Sequence, residues 1–530
     1  MNSVRRIPPG SLLTIGRHSM NGLALIDYVV IAGYFAALIG IAAYFARKQT
    51  TTEVYYVGGR SVPWWAMGIS LMATLISSIT FVAFPGDAYE KNWAGLVPGL
   101  MVPIVLLLLA AVVIPFYRQA VGLSAYEYFE KRFGYGARVY SSLAFLLMQF
   151  SKMSLVLWLI SLAVSSMADW NIYVVLIVLE IFTITYVVLG GIEAVIWTAV
   201  LQGIVLAAGG AACLAVLLLR PEGGPEAVLA LAWENNKFSL GGMGFNFDQP
   251  TFLVLALYGI SVYIQKYATD QAVVQRYLTS KTDGEALRGT LLGALLCIPV
   301  WALFLLIGTC LWSYAQITGL TFPAHIDRPD EIFPYFIVHE LPSGLTGLVL
   351  AALIAAAIDA DLNSISVVIV EDYYRRLRRN TTDAERLFVG KLTIAVTGLG
   401  TIGMAALLAN SEGTALSTAF LIASIASGGV TGLFALAFLC SRATPFGAYT
   451  GIAVGVLFTA WATLTNKGFI DAWGYRYTLH PYLIGVFTNL LLFAVGYAAS
   501  WLTPQKVDAR PLTLWGWLSK RRALVVAVKG

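Results

Sequence analysis

Apolar runs of about 20 residues recur from one end of this chain to the other, and they restrict what it can fold into more than any other feature. Examples are "MVPIVLLLLAAVVIPF" (Met101–Phe116) and "LLGALLCIPVWALFLLIGTCLW" (Leu291–Trp312). As helix, a run of that length crosses the hydrocarbon core of a bilayer. Of 530 residues, 58% are apolar and 12% charged, with a mean hydropathy of +0.76. Soluble domains carry about 25% charge, so this chain cannot cover a water-facing surface of its size. The expected fold class is an all-α polytopic membrane protein with about 13 transmembrane helices.

The candidate spans fall near 25–46, 63–83, 96–116, 140–167, 172–189, 195–219, 251–273, 290–314, 343–370, 391–409, 414–440, 446–465 and 481–502. Residues 1–24 are expected as an external segment, 25–503 as one transmembrane domain and 504–530 as a cytoplasmic tail. The opening "MNSVRRIPPG" has the charge of a signal n-region, but the run after it spans a bilayer and meets "ARKQ" with no small-residue cleavage site. It reads as a retained anchor. With the N-terminus outside, about two-thirds of the 34 lysines and arginines fall on the inner side, the heaviest cluster being "YYRRLRRNTTDAERLFVGK" (Tyr373–Lys391). The net charge of +5 then follows from topology and implies no nucleic-acid partner.

Cys213, Cys297, Cys310 and Cys440 lie in or beside apolar runs without CxxC spacing and read as buried thiols. The four histidines form no metal-ligand pair at helical spacing. There is no phosphate loop, no nucleophile–base cluster and no loop large enough for an ATPase domain, so neither an enzyme nor an ATP-driven pump is expected, and no cofactor. Two spans are polar at membrane depth. They are "WWAMGISLMATLISSITFVAFPG" (Trp64–Gly86) and, five spans later, "LYGISVYIQKYATDQAVVQRYL" (Leu257–Leu278). Interrupted helices in matching positions of two five-helix halves point to a midplane binding site built on inverted repeats. Packing by Ser and Thr is the alternative for either span.

"YYVGGRSVPWWAMGISLMATLISSITF", "VLGGIEAVIWTAVLQG", "DQAVVQRYL" and "LNSISVVIVEDYY" resemble, in order, the signature segments of the sodium/solute symporter family. "SAYEYFEKRF" and "VVQRYL" are most similar to its bacterial sodium/sialic acid symporters. The resemblance covers about residues 23–500. It implies a LeuT-type inverted-repeat core of ten helices, the second to eleventh spans, with alternating access. It also implies a bacterial inner-membrane location, with a small-molecule solute and lipid as partners.

The resemblance implies sodium ligands at the carbonyls of Ala73 and Ile76. The family's hydroxyl pair aligns with Ala356 and Ala357, which cannot ligate a cation. An aspartate that makes an additional sodium site in the sialic acid symporters is here Ala199, and its two serine partners align with Asp359 and Ala360. Asp359 therefore stands as a relocated carboxylate for Na+, with a proton as the competing coupling ion. Asp361 is about 200° around the helix from Asp359. It serves either the main sodium site or a basic partner.

Lys152 aligns with the arginine that holds the substrate carboxylate in the sialic acid symporters. It reads either as that counter-ion or as an internal partner of Asp359, Asp361 or Glu180. Lysine lacks arginine's bidentate fork, so a smaller or differently shaped acid is admissible. Lys266 stands where sugar-transporting relatives carry an aromatic gate; it lines the pocket or snorkels to the inner interface. Ser77 and Thr80 match substrate-contacting positions, whereas Leu75 replaces a threonine. Gln271 and Gln275 are expected as helix-packing hydrogen bonders. The expected function is cation-coupled symport, with Na+ favoured, of a small polar solute such as sialic acid or another organic acid. The alternatives are H+ coupling, a neutral sugar or monocarboxylate as solute, and a solute sensor, whose kinase-type extension this tail is too short to hold.

Overall fold

The computed structural model describes residues 23–76, 78–168, 170–323, 329–355, 359–410, 428–469, 474–505 and 510–529. Within helices, only the backbone is described for residues 78, 79, 166, 330, 355, 359, 410 and 522–529. The described residues are helical apart from turns and one isolated bridge, Val62 to Ser280. The long elements are α1 (Leu25–Ala46), α2 (Trp64–Leu75), α3 (Ser78–Glu90), α4 (Val102–Ala120), α5 (Tyr135–Ala168) and α6 (Ile172–Leu219). There follow α7 (Phe252–Thr269), α8 (Gln271–Thr279), α9 (Asp283–Thr318), α10 (Leu345–Ala355), α11 (Asp359–Val368) and α12 (Asp383–Asn410). The last are α13 (Val430–Leu439), α14 (Pro445–Asn466) and α15 (Tyr482–Ser500).

Nine helices among the described residues are long and apolar enough to cross a membrane, or ten when α2 and α3, bent by 53°, count as one broken span. The expected count of about 13 is therefore not reached on these residues. Most of the span expected at 414–440 lies outside them, and α10 and α13 are short. One of the nine is two spans in series. At 48 residues α6 would be about 72 Å long, more than twice a bilayer core. It breaks at Gly191, whose φ of +58° and ψ of −155° belong to glycine alone. A Cβ there would also stand 2.7 Å from the Tyr55 carbonyl oxygen. The apolar belt faces outward, with Leu107 85% and Leu399 55% exposed. A water-facing surface would not carry such residues on helix after helix, and the protein is an integral membrane protein.

The helices close on one another through small residues, as lipid-embedded helices do. Gly68 of α2 meets Gly289 and Gly293 of α9 so closely that a Cβ on Gly293 would lie 2.2 Å from the Gly68 carbonyl oxygen. Asp27, 1% exposed, ties α1 to the start of α10 by accepting from the amides of Gly344 and Gly347, both at 2.7 Å. That places a carboxylate on a helix N-terminus. The long loops after α6 and α9 carry short helices at Gly224–Glu234 and Pro329–Glu340, as their length suggested. The C-terminal helix Leu514–Lys529 packs back by Trp517 Nε1 donating to Gln119 and Trp515 Nε1 to the Leu439 carbonyl.

Candidate functional site

Both polar spans are broken, and both breaks are extended backbone. Ile76, after α2, has φ −92° and ψ 107°; Asp270, between α7 and α8, has φ −80° and ψ 119°. A helix end releases its last carbonyls from intrahelical bonds, and the two breaks treat theirs differently. After α7, Tyr277, Tyr117 and Tyr126 donate their hydroxyls to the carbonyls of Tyr267, Ala268 and Thr269, at 3.0, 2.6 and 3.1 Å. After α2, no side chain among the described residues donates to the carbonyls of Ala73 or Ile76. The first break keeps acceptor oxygens open at the C-terminal, negative end of a half-helix. Ile76 is 3% exposed, so water does not reach it freely.

Four charges sit at membrane depth beside these breaks. Lys152 Nζ of α5 donates to Asp361 Oδ2 of α11 at 2.9 Å, and Gln149 Nε2, one turn earlier, donates to Oδ1 at 2.8 Å. Lys266 Nζ of α7 donates to Asp270 Oδ2 at 2.6 Å. Asp270 also caps α8, its Oδ1 accepting from the Ala272 amide at 2.9 Å. The two pairs feel one another, Lys266 with Asp361 and Asp270 with Lys152. Together they make a neutral cluster, the form in which a membrane interior tolerates charge. The pairs are unequally sealed: Asp361 and Asp270 are 5% and 1% exposed, whereas Lys152 and Lys266 keep 28% and 24%.

Of the residues expected at the site, Lys152 and Asp361 are thus partners, so among the three acids considered for Lys152 the one it meets is Asp361. Lys266, expected to line the pocket or to snorkel, is instead held by an acid one turn on, Asp270. Thr80 is buried within α3. Gln271 bridges the Leu123 carbonyl and the Ala125 amide, while Gln275 donates to the Tyr56 carbonyl and to Asn363. Glu180 does not meet Lys152 and has no hydrogen-bond partner among the described residues. Ser77, Ala356, Ala357 and the side chain of Asp359 lie outside the described residues. Sequence reading missed Asp270 and Gln149, whose signals were the i,i+4 spacing of Lys266 and Asp270 and the i,i+3 spacing of Gln149 and Lys152. It also missed the three capping tyrosines, which no local pattern marks.

A carboxylate-bearing solute meeting this cluster finds two ammonium groups, each already neutralised by an acid that is more buried than itself. A monovalent cation finds carbonyls and a carboxylate. A cavity of about 580 Å³ lies further off, on the side of α7 facing α14 and α15, and shares Gln265 with the break region.

The profile of the Sodium:solute symporter family matches residues 55–455. A sodium/sialic acid symporter of Proteus mirabilis (strain HI4320) is 33% identical over 444 residues, covering 83% of this chain and 89% of its own. A Na+-coupled sialic acid symporter, solved substrate-bound and outward-open, superposes with a TM-score of 0.84 at 30% identity, over 92% of this chain and 99% of that one. Mhp1, a nucleobase-cation-symport-1 family transporter in a closed conformation, superposes with a TM-score of 0.53 at 15% identity, over 86% and 97% of the two chains. That last likeness is one of fold alone, and the fold is the LeuT-type arrangement. With its polar spans broken in matching places, this chain belongs to the sodium:solute symporter family.

Proposed function

We propose that this protein imports a small acidic solute together with Na+, and that Lys152 is the counter-ion for the solute's carboxylate. The observation that carries the reading is the asymmetry of the Lys152–Asp361 pair. The amine keeps an open side while its acid is sealed, so an incoming carboxylate meets Lys152 first. Removing the amine from Asp361 would leave a buried carboxylate unpaired, at a cost of about 3–5 kcal/mol. A cation arriving at Asp361 offsets that cost. Solute and Na+ binding are coupled by this exchange of partners, and neither binds well without the other. Sialic acid, the solute of the relatives named above, is the first substrate to try; another organic acid is the second.

The carbonyls of Ala73 and Ile76 supply further oxygens for the cation, and Asp359, two residues before Asp361 in the sequence, is a second candidate acid. Ser77, Thr80 and Lys266 remain candidate contacts to the solute. The N-terminus is placed outside, with 1–24 external, 25–503 the transporter domain of about 13 spans and 504–530 cytoplasmic. Hydrogen bonds join segments assigned to one side only: Tyr128 to Leu512 inside, and Lys237 to Tyr89 outside. Cysteine placed at Glu222 and not at Arg379 should react with an impermeant maleimide on intact cells, in a Cys440→Ser background. The reverse pattern would invert the orientation.

The test of the solute reading compares the affinity of the purified protein for sialic acid and for its methyl ester. Wild type should prefer the acid by at least tenfold. Lys152→Gln, which keeps a donor for Asp361, should bring the ratio close to one. A ratio unchanged by Lys152→Gln removes the counter-ion role.

A further inference from the structure

Glu180 is fully buried in the first half of α6, and no ion pair or hydrogen bond among the described residues holds it. Neither carboxylate oxygen has a hydrogen-bond partner. Lysine does not neutralise it, since Lys152 is engaged with Asp361. An ionised carboxylate in a membrane interior without a partner is among the costliest groups a protein can hold. Nothing among the described residues completes this site, which leaves it open to a guest.

Glu180 borders a cavity of about 20 Å³, enough for one water-sized guest and too small for a solute. The walls come from five helices. Leu38 stands on α1, Ile160 on α5, Thr183 and Gln202 on the two halves of α6, and Ile354 at the end of α10. Gly398 of α12 closes the remaining side, where a Cβ would lie 2.9 Å from Glu180 Oε1. The Thr183 hydroxyl donates to the Leu179 carbonyl at 2.9 Å and retains lone pairs to accept a cation. Thr183 and Glu180 line one cavity, and no hydrogen bond joins their side chains, so a guest in the cavity can meet both. A proton would cancel the charge but leave a buried hydroxyl without an acceptor and a buried carbonyl without a donor. A metal cation satisfies both oxygens at once, and one carboxylate matches one positive charge, which selects a monovalent ion over a divalent one.

We infer that Glu180, with Thr183, forms a separate binding site for a small monovalent cation, Na+, at the junction of α1, α5, α6, α10 and α12. The site is distinct from the cluster of Lys152, Asp361, Lys266 and Asp270, and its occupancy does not require the solute. Because its walls belong to five helices, a bound ion ties them together and stabilises the fold by mass action.

The test is equilibrium binding of radiolabelled Na+ to the purified full-length protein without any solute, at fixed pH, with choline as the replacement cation. Wild type should bind Na+ saturably, and Glu180→Gln should bind one Na+ fewer per chain. Thr183→Val, a near-isosteric change, should weaken that component at least threefold, and it decides the question if Glu180→Gln does not fold. Full Na+ stoichiometry in folded Glu180→Gln, or unchanged Na+ affinity in Thr183→Val, overturns the site. So does a Glu180→Gln variant in which only the pH dependence changes, because the acid would then carry a proton. Since no solute is present, failure here leaves the reading of Lys152 untouched.

Discussion

Lys152 and Asp361 are joined across two helices, and their bond carries a stability consequence that differs from its transport consequence. Lys152→Ala should destabilise the protein by about 3–5 kcal/mol, because the buried Asp361 loses its counter-charge. Lys152→Met combined with Asp361→Leu removes both charges and should cost less than the single change. Thermal unfolding in detergent, compared between Lys152→Ala and the double variant, measures the difference. If Lys152→Ala costs no more than the double change, the pair is not what holds these helices in register. Both charges were legible in the sequence, since a charge inside an apolar run is conspicuous by composition alone. Their pairing was not legible, because which faces of two separate helices meet is set by packing. Asp270 was hidden for a different reason: it stands inside a motif and reads as a helix cap until Lys266 is placed one turn before it. Asp359 rests on sequence alone, and Asp359→Asn should abolish the Na+ dependence of uptake if it is the relocated ligand.

Among the elements, the two broken helices are the informative pair. Their existence was legible from Ser, Thr and Gln at membrane depth, and the structure places the breaks at Ile76 and Asp270. The difference between them was not legible, since it depends on Tyr277 of α8 and on Tyr117 and Tyr126 from elsewhere in the chain. Tyr117, Tyr126 and Tyr277 fix the second break by occupying its carbonyls. The first break, without such donors among the described residues, keeps its carbonyls for something else. Tyr117→Phe should therefore cost about 1–3 kcal/mol, the penalty of a buried carbonyl left without its donor. Hydrogen exchange should show the loss concentrated at the α7–α8 junction. A Tyr117→Phe protein as stable as wild type, with unchanged exchange at that junction, would mean the hydroxyl does not hold the break. The spans expected separately at 172–189 and 195–219 are the two halves of α6, broken at Gly191, so that division was legible in the sequence.

At the scale of the whole molecule, the alternation of spans accounts for which loops touch. Arg118 pairs with Asp283 at 2.7 Å and Arg138 with Asp372 at 2.5 Å, all on the side rich in lysine and arginine. Arg220 pairs with Glu340 at 2.8 Å on the other. Hydropathy set this alternation and the fold class, because backbone groups in lipid must be satisfied within each span. Hydropathy cannot set the solute, which depends on a handful of polar atoms. The exchange of partners at Lys152 makes one demand of the complete protein: an acidic solute and Na+ must move together. Uptake of labelled sialic acid into proteoliposomes, driven by an inward Na+ gradient with pH clamped on both sides, measures this most directly. Accumulation should follow the Na+ gradient, collapse when choline replaces Na+, and be indifferent to an imposed proton gradient. Accumulation driven by the proton gradient in Na+-free buffer would contradict the account.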